Sequence, residues 1–102
     1  MEKYELIEYS NTLITKLFTV LDLTKNAKSD KEYLDIEKFI EKIIIEVEGS
    51  TRYYSTTRNG RHLTDVIMKL NGIKKVTDYN VRKKIVLDSV EIVNRITLEL
   101  KK

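Results

Sequence analysis

The chain has 102 residues, a formal net charge of +3, and neither cysteine, tryptophan nor proline. This length and a 41% hydrophobic content support one domain with a modest core, and the lack of cysteine excludes a disulfide framework or a thiolate metal site. The small total conceals a polarity: residues 1–48 hold seven Lys/Arg against eleven Asp/Glu, while residues 49–102 hold twelve against five, so the second half leaves a basic surplus for an acidic partner.

The opening Met1-Glu-Lys-Tyr-Glu5 carries charge where a secretory signal needs an apolar stretch. No apolar run reaches membrane-spanning length either, so the expectation is a soluble, cytoplasmic protein. From Tyr4 to Leu23 the positions Ile7, Ile14, Leu17, Phe18 and Leu21 recur at helical spacing, with a second row through Leu6, Leu13 and Val20. They predict a first helix ending near Asn26. Ser29-Asp-Lys-Glu32 has the form of a capping box, and Ile36, Phe39, Ile40, Ile43 and Val47 carry a second helix expected to stop at Gly49.

Residues 50–61 mix hydroxyl side chains with Asn59-Gly60 and read as a connector with short extended structure. Leu63, Val66, Ile67 and Leu70 predict a short third helix ended by Asn71-Gly72. Thr77-Asp78 is the next cap, opening a long fourth helix on a seam of Val86, Val90, Val93 and Leu100. The β-branched pieces Ile43–Val47 and Ile96–Leu100 also suit strands, although the helical seam runs into both without a phase break.

Two parts of the chain align with each other. At an offset of 53, Leu34, Asp35, Ile43 and Glu46 meet identical residues in Leu87, Asp88, Ile96 and Glu99. At an offset of 49, Ile14, Leu17, Phe18 and Leu21 meet Leu63, Val66, Ile67 and Leu70. A helical hairpin cannot bury its apolar face alone, whereas two similar hairpins pack face to face and leave a groove where they meet. The expected architecture is all-α: two similar helical hairpins packed as a four-helix unit in a single domain, with residues 1–48 and 62–102 as the hairpins and 49–61 as the connector.

Little in the chain suits catalysis. One histidine, no cysteine and carboxylates at helix-surface spacing offer no poised nucleophile or acid–base pair. His62 with Asp65 is an i, i+3 pair at a helix start, and a zinc site would need further His or Cys ligands. No enzyme, cofactor or metal is expected. Arg52, Tyr53 and Tyr54 have the composition of an interface hot spot, and Ile44 beside Ile43 and Ile45 leaves apolar surface for something to cover. These four are the candidate partner contacts.

Basic residues form two foci, Arg58 and Arg61 with Arg52 in the connector, and Lys74, Lys75, Arg82, Lys83 and Lys84 around the second hairpin's loop. Next to a helix N-terminus such residues would receive an anion such as phosphate. The leading expectation is therefore a protein interaction module that takes a partner peptide or protein in the groove between hairpins. A homodimer is compatible with it. The alternative is a nucleic-acid-binding accessory protein that uses the basic second half.

The length, the absence of Cys, Trp, Pro and Gln, the Lys/Glu/Ile/Tyr bias and the hairpin ends Ile43-Ile-Ile-Glu-Val47 and Ile96-Thr-Leu-Glu-Leu100 resemble small orphan proteins of filamentous viruses infecting hyperthermophilic archaea, the Acidianus viruses in particular. The resemblance implies a helical protein acting through protein contacts in a host cytoplasm, and it transfers no site residue. Asn59-Gly60, Asn71-Gly72 and the missing loop prolines depart from what heat favours, and an AT-rich bacterial phage would give a similar composition.

Overall fold

The computed structural model describes residues 3–54 and 58–101, with side chains described for 4–51 and 60–101. Four helices follow one another: α1 (Lys3–Asn26), α2 (Asp30–Tyr54), α3 (Arg58–Ile73) and α4 (Tyr79–Leu100). No strand occurs among the described residues, and both β-branched pieces are helical. Their apolar positions keep the 3.6-residue phase of the helix before them, which outweighs local β-propensity.

Two short links, residues 27–29 and 74–78, turn each helix back on its predecessor. The helices form a ring in which α1 lies along α4, α2 along α3 and α3 along α4, while α1 and α2 meet over a shorter stretch. The backbones of the diagonal pairs α1/α3 and α2/α4 stay apart across the core. The bundle measures 43 × 21 × 18 Å. Among the described residues, eighteen buried apolar side chains from all four helices make one continuous core along its axis.

Both caps expected before α2 and α4 are present. Glu32 N–H donates to Ser29 Oγ at 3.2 Å, and the Glu32 carboxylate accepts from Ser29 Oγ at 3.1 Å and from Lys28 N–H at 3.3 Å. The carboxylate thus reaches one residue further back than in the usual box, which takes the Ncap N–H. At α4, Val81 N–H donates to Asp78 Oδ1 at 3.1 Å.

The helix ends expected at two glycines are corrected. α2 continues through Gly49 to Tyr54 and α3 begins at Arg58, so residues 49–54 and 58–61 of the expected connector are helical, and 55–57 lie outside the described residues. No described glycine has positive φ, and the seam continues past Gly49 in buried Ser50 and half-buried Thr51, whose hydroxyls donate to Glu46 O and Val47 O. Glycine ends a helix by adopting the left-handed region; without that turn it only weakens the helix. For the same reason α3 passes through Gly72 to Ile73. In α1 the row Leu6, Leu13 and Val20 faces the axis together with Leu17 and Leu21, whereas Ile14 is half-buried and Phe18 exposed. The centre of that apolar stripe is set by two neighbouring helices and not by α1 alone.

Candidate functional site

The outer edge of the seam between α2 and α3, where the two hairpins meet, carries two shallow depressions. One, of about 190 Å³, is lined by Asp30, Tyr33, Leu34, Glu37, Lys74, Lys75, Thr77 and Arg82. The other, of about 290 Å³, is lined by Glu41, Ile44, Ile45, Glu48, Asn71 and Lys74. Lys74 belongs to both, and its ammonium lies 3.4 Å from Glu41 Oε1. This ion pair from the end of α3 to α2 spans the seam between the acidic and basic halves. Each depression is below the size that buries a drug-sized ligand and accommodates a side chain.

A third depression, of about 260 Å³ and mainly apolar, lies within the first hairpin, lined by Leu23, Glu32, Asp35, Ile36 and Phe39. It sits at the linked end of the hairpin, between the last turns of α1 and the first turns of α2. The Lys16–Glu46 ion pair, 2.6 Å, bridges the same two helices toward the other end.

Arg82 is corrected as an anion-binding candidate, because its side chain is fully buried. Its Nε donates to Ile73 O at 3.3 Å, Nη2 to Lys74 O at 3.0 Å and Nη1 to Thr24 Oγ1 at 2.9 Å. Thr24 Oγ1 in turn donates to Val20 O at 2.7 Å. The guanidinium therefore satisfies carbonyls at the negative end of α3 and ties that end to α1. Burial pulls its pKa below the usual value, and the nearby Tyr33 and Glu37 groups oppose the fall.

The other basic residues do not converge. Lys74 is paired with Glu41, Lys75 shares its depression with Asp30 and Glu37, and Arg61, Lys83 and Lys84 are exposed. The N-terminus of α4, the expected phosphate seat, already presents an N–H to the Asp78 carboxylate. The backbone of Arg52, Tyr53 and Tyr54 forms the last turn of α2 and Arg58 opens α3; their side chains lie outside the described residues.

Ile44 is corrected as an exposed contact: it is buried, forming the floor of the larger depression, and its neighbour Ile45 projects at the rim. Sequence reasoning missed Ile45, Leu34 and the carboxylates beside them. The signal that could have found them was the pairing of Leu34 with Leu87 and of Ile45 with Leu98 in the self-alignment, at helix positions turned away from the core seam.

At the opposite end of the bundle several polar atoms are buried without a hydrogen-bond partner: Tyr9 Oη, Ser10 Oγ and His62 Nε2. His62 Nε2 lies 3.8 Å from Glu99 Oε1 on α4. Burial pushes the Tyr9 phenol up to about 12, the Glu46 carboxylate adding to the rise and the adjacent Ser50 hydroxyl opposing it. Among the described residues no group of three or more His, Asp or Glu side chains is placed to hold a metal ion. Among them, too, no helix is long and apolar enough to cross a membrane.

Comparison with protein-family models, with curated proteins and with solved structures finds no match for this chain.

Proposed function

We propose that the protein is an interaction module that receives an amphipathic partner segment along the outer edge of the α2/α3 seam. The observation carrying this reading is the exposed apolar pair Leu34 and Ile45, each at the rim of its own depression and each flanked by carboxylates. Asp30 and Glu37 flank Leu34 together with Lys31 and Lys38, and Glu41 and Glu48 flank Ile45 together with Lys42. On a helix, residues three and four apart are surface neighbours.

A partner helix with two apolar side chains about three turns apart would seat them at the two rims. Lysines or arginines beside them would meet the carboxylates and set orientation and encounter rate more than affinity. The two hairpins, similar in sequence and in which positions are buried, act in this reading as a repeat whose meeting edge is the docking site. The test is a backbone-amide NMR titration with a basic helical peptide carrying Leu at two positions eleven apart. Shifts should concentrate on Leu34, Ile45 and Asn71, and the joint change Glu41→Lys, Glu48→Lys should reduce affinity at least tenfold. Shifts confined to the α1/α2 depression, or affinity unaffected by the charge reversal, would refute the assignment.

A further inference from the structure

The outer side of α1 carries a second apolar stripe beside the one the core uses. Tyr4, Ile7, Asn11, Ile14 and Phe18 follow one another at alternating steps of three and four residues, the spacing that forms the seam of a coiled coil. The core takes a different row, Leu6, Leu13, Leu17 and Val20. Tyr4 and Phe18 are left 62% and 44% exposed, Asn11 is exposed, and Ile7 and Ile14 are half-buried. Lys16, on the opposite flank of α1, reaches Glu46 of α2, so the stripe looks out on the α1/α4 side of the bundle. Leu87 and Leu98, 42% and 63% exposed, lie on the flank of α4 turned from α3, where Glu99 meets His62, and widen the same side.

In a chain with 34% charged residues none of these five is charged, and the stripe ends at Asp22 and Lys25. Glu8 stands at its rim, and Glu91, between Leu87 and Leu98, is tied to Arg95 at 2.8 Å. Along the stripe the order of groups is aromatic, Ile, Asn, Ile, aromatic, a palindrome about Asn11 to within one residue. Turned end for end about that amide, the face meets itself: ring against ring, isoleucine against isoleucine, Asn11 against Asn11. An amide carries donors and an acceptor, so two of them satisfy each other, whereas a purely apolar partner or an acyl chain would bury this one unpaired at a cost. A lone Asn at a seam position is also what fixes register and copy number in coiled coils. The long side of the bundle, 43 by about 20 Å, offers roughly 800 Å², one partner's share of a standard interface.

We infer that two copies of this chain pair antiparallel through the outer stripe of α1, with a two-fold axis passing at Asn11. Each Phe18 then faces the partner's Tyr4, and each Ile7 the partner's Ile14. A two-fold contact is closed, so assembly stops at the dimer. The α2/α3 edges lie on the far side of each bundle and stay open in the pair. The dimer does not rest on the docking reading above.

Sedimentation velocity over a concentration series and disulfide trapping test this together. The wild type should reach, and not exceed, twice the 12.0-kDa chain. Phe18→Asp, an exposed-site variant whose folding is checked by circular dichroism, should raise the dissociation constant about tenfold or more. The chain has no cysteine, so single thiols report the geometry. Under mild oxidation Asn11→Cys should link to itself, because the axis brings the two copies of that position within disulfide reach. Tyr4→Cys and Phe18→Cys should each link poorly alone and efficiently when mixed. A wild type that stays monomeric throughout the series, a dimer indifferent to Phe18→Asp, or Tyr4→Cys linking chiefly to itself, the mark of parallel pairing, would overturn the inference. Peptide binding at Leu34 and Ile45 uses the other side of the bundle, so the loss of either site leaves the other standing.

Discussion

Replacing Arg82 by alanine should be among the most damaging single changes in this fold. The side chain is fully buried and makes three donor contacts, to Ile73 O, Lys74 O and Thr24 Oγ1. Hydrogen bonds from a charged group contribute about 1.5–3 kcal/mol each, and truncating a large buried side chain adds a cavity cost of about 2–5 kcal/mol. Relief of burying a charge offsets part of the total. Among the described ion pairs none involves Arg82, so that relief is substantial, and the net loss should be about 3–5 kcal/mol. For a domain of this size that lowers Tm by about 15 °C or more. Arg82→Met, which keeps most of the stem volume and loses the donors, should lose roughly half as much. A double-mutant cycle with Thr24→Val should give a coupling of about 1 kcal/mol, measured by urea denaturation. A loss below about 1 kcal/mol for Arg82→Ala, or Arg82→Met matching the wild type, would show that the guanidinium is not the staple joining α1, α3 and α4.

Gly49→Ala should stabilise the protein by about 1 kcal/mol: the residue is exposed within α2, lacks positive φ, and an added Cβ meets nothing within 4 Å. Thermal unfolding checks this, and a lowered Tm would contradict the continuous helix through that point. Tyr9 predicts an alkaline effect with a defined sign. Its folded pKa, about 12, exceeds the ordinary value of 10.0, so the unfolded chain releases the proton first and stability falls as pH rises from near 10 toward 12. After allowance for partial exposure the loss is about 1–2 kcal/mol. Tyr9→Phe should abolish this part of the pH dependence, and at neutral pH it should be neutral or stabilising because Tyr9 Oη has no partner.

The opposing charges of the two halves are partly realised as contacts. Lys74–Glu41 joins them at the α2/α3 seam, whereas Lys16–Glu46 lies within the first half and His62–Glu99 within the second. Half-exposed pairs of this kind contribute little to stability. The remaining unpaired charge therefore bears more on what approaches each face than on the fold.

Much of the architecture follows from the amino-acid order alone, because its causes act within a turn or two. Apolar spacing of 3.6 residues fixes four helices, and the Ser29 and Asp78 caps are made with residues three and four positions away. Candidate docking positions were half legible: the recurrence of Leu34 in Leu87 and of Ile45 in Leu98 is visible in the letters, but their exposure is not. What required the assembled bundle is whatever depends on a neighbour far along the chain. The choice of Ile45 over Ile44 as the outward residue depends on where α3 lies against α2. The burial of Arg82 depends on Thr24, 58 positions earlier, and on the Ile73 and Lys74 carbonyls where α3 ends. A run of basic residues carries no information about which of them will find carbonyl partners inside, since that depends on packing between helices and not on the run itself.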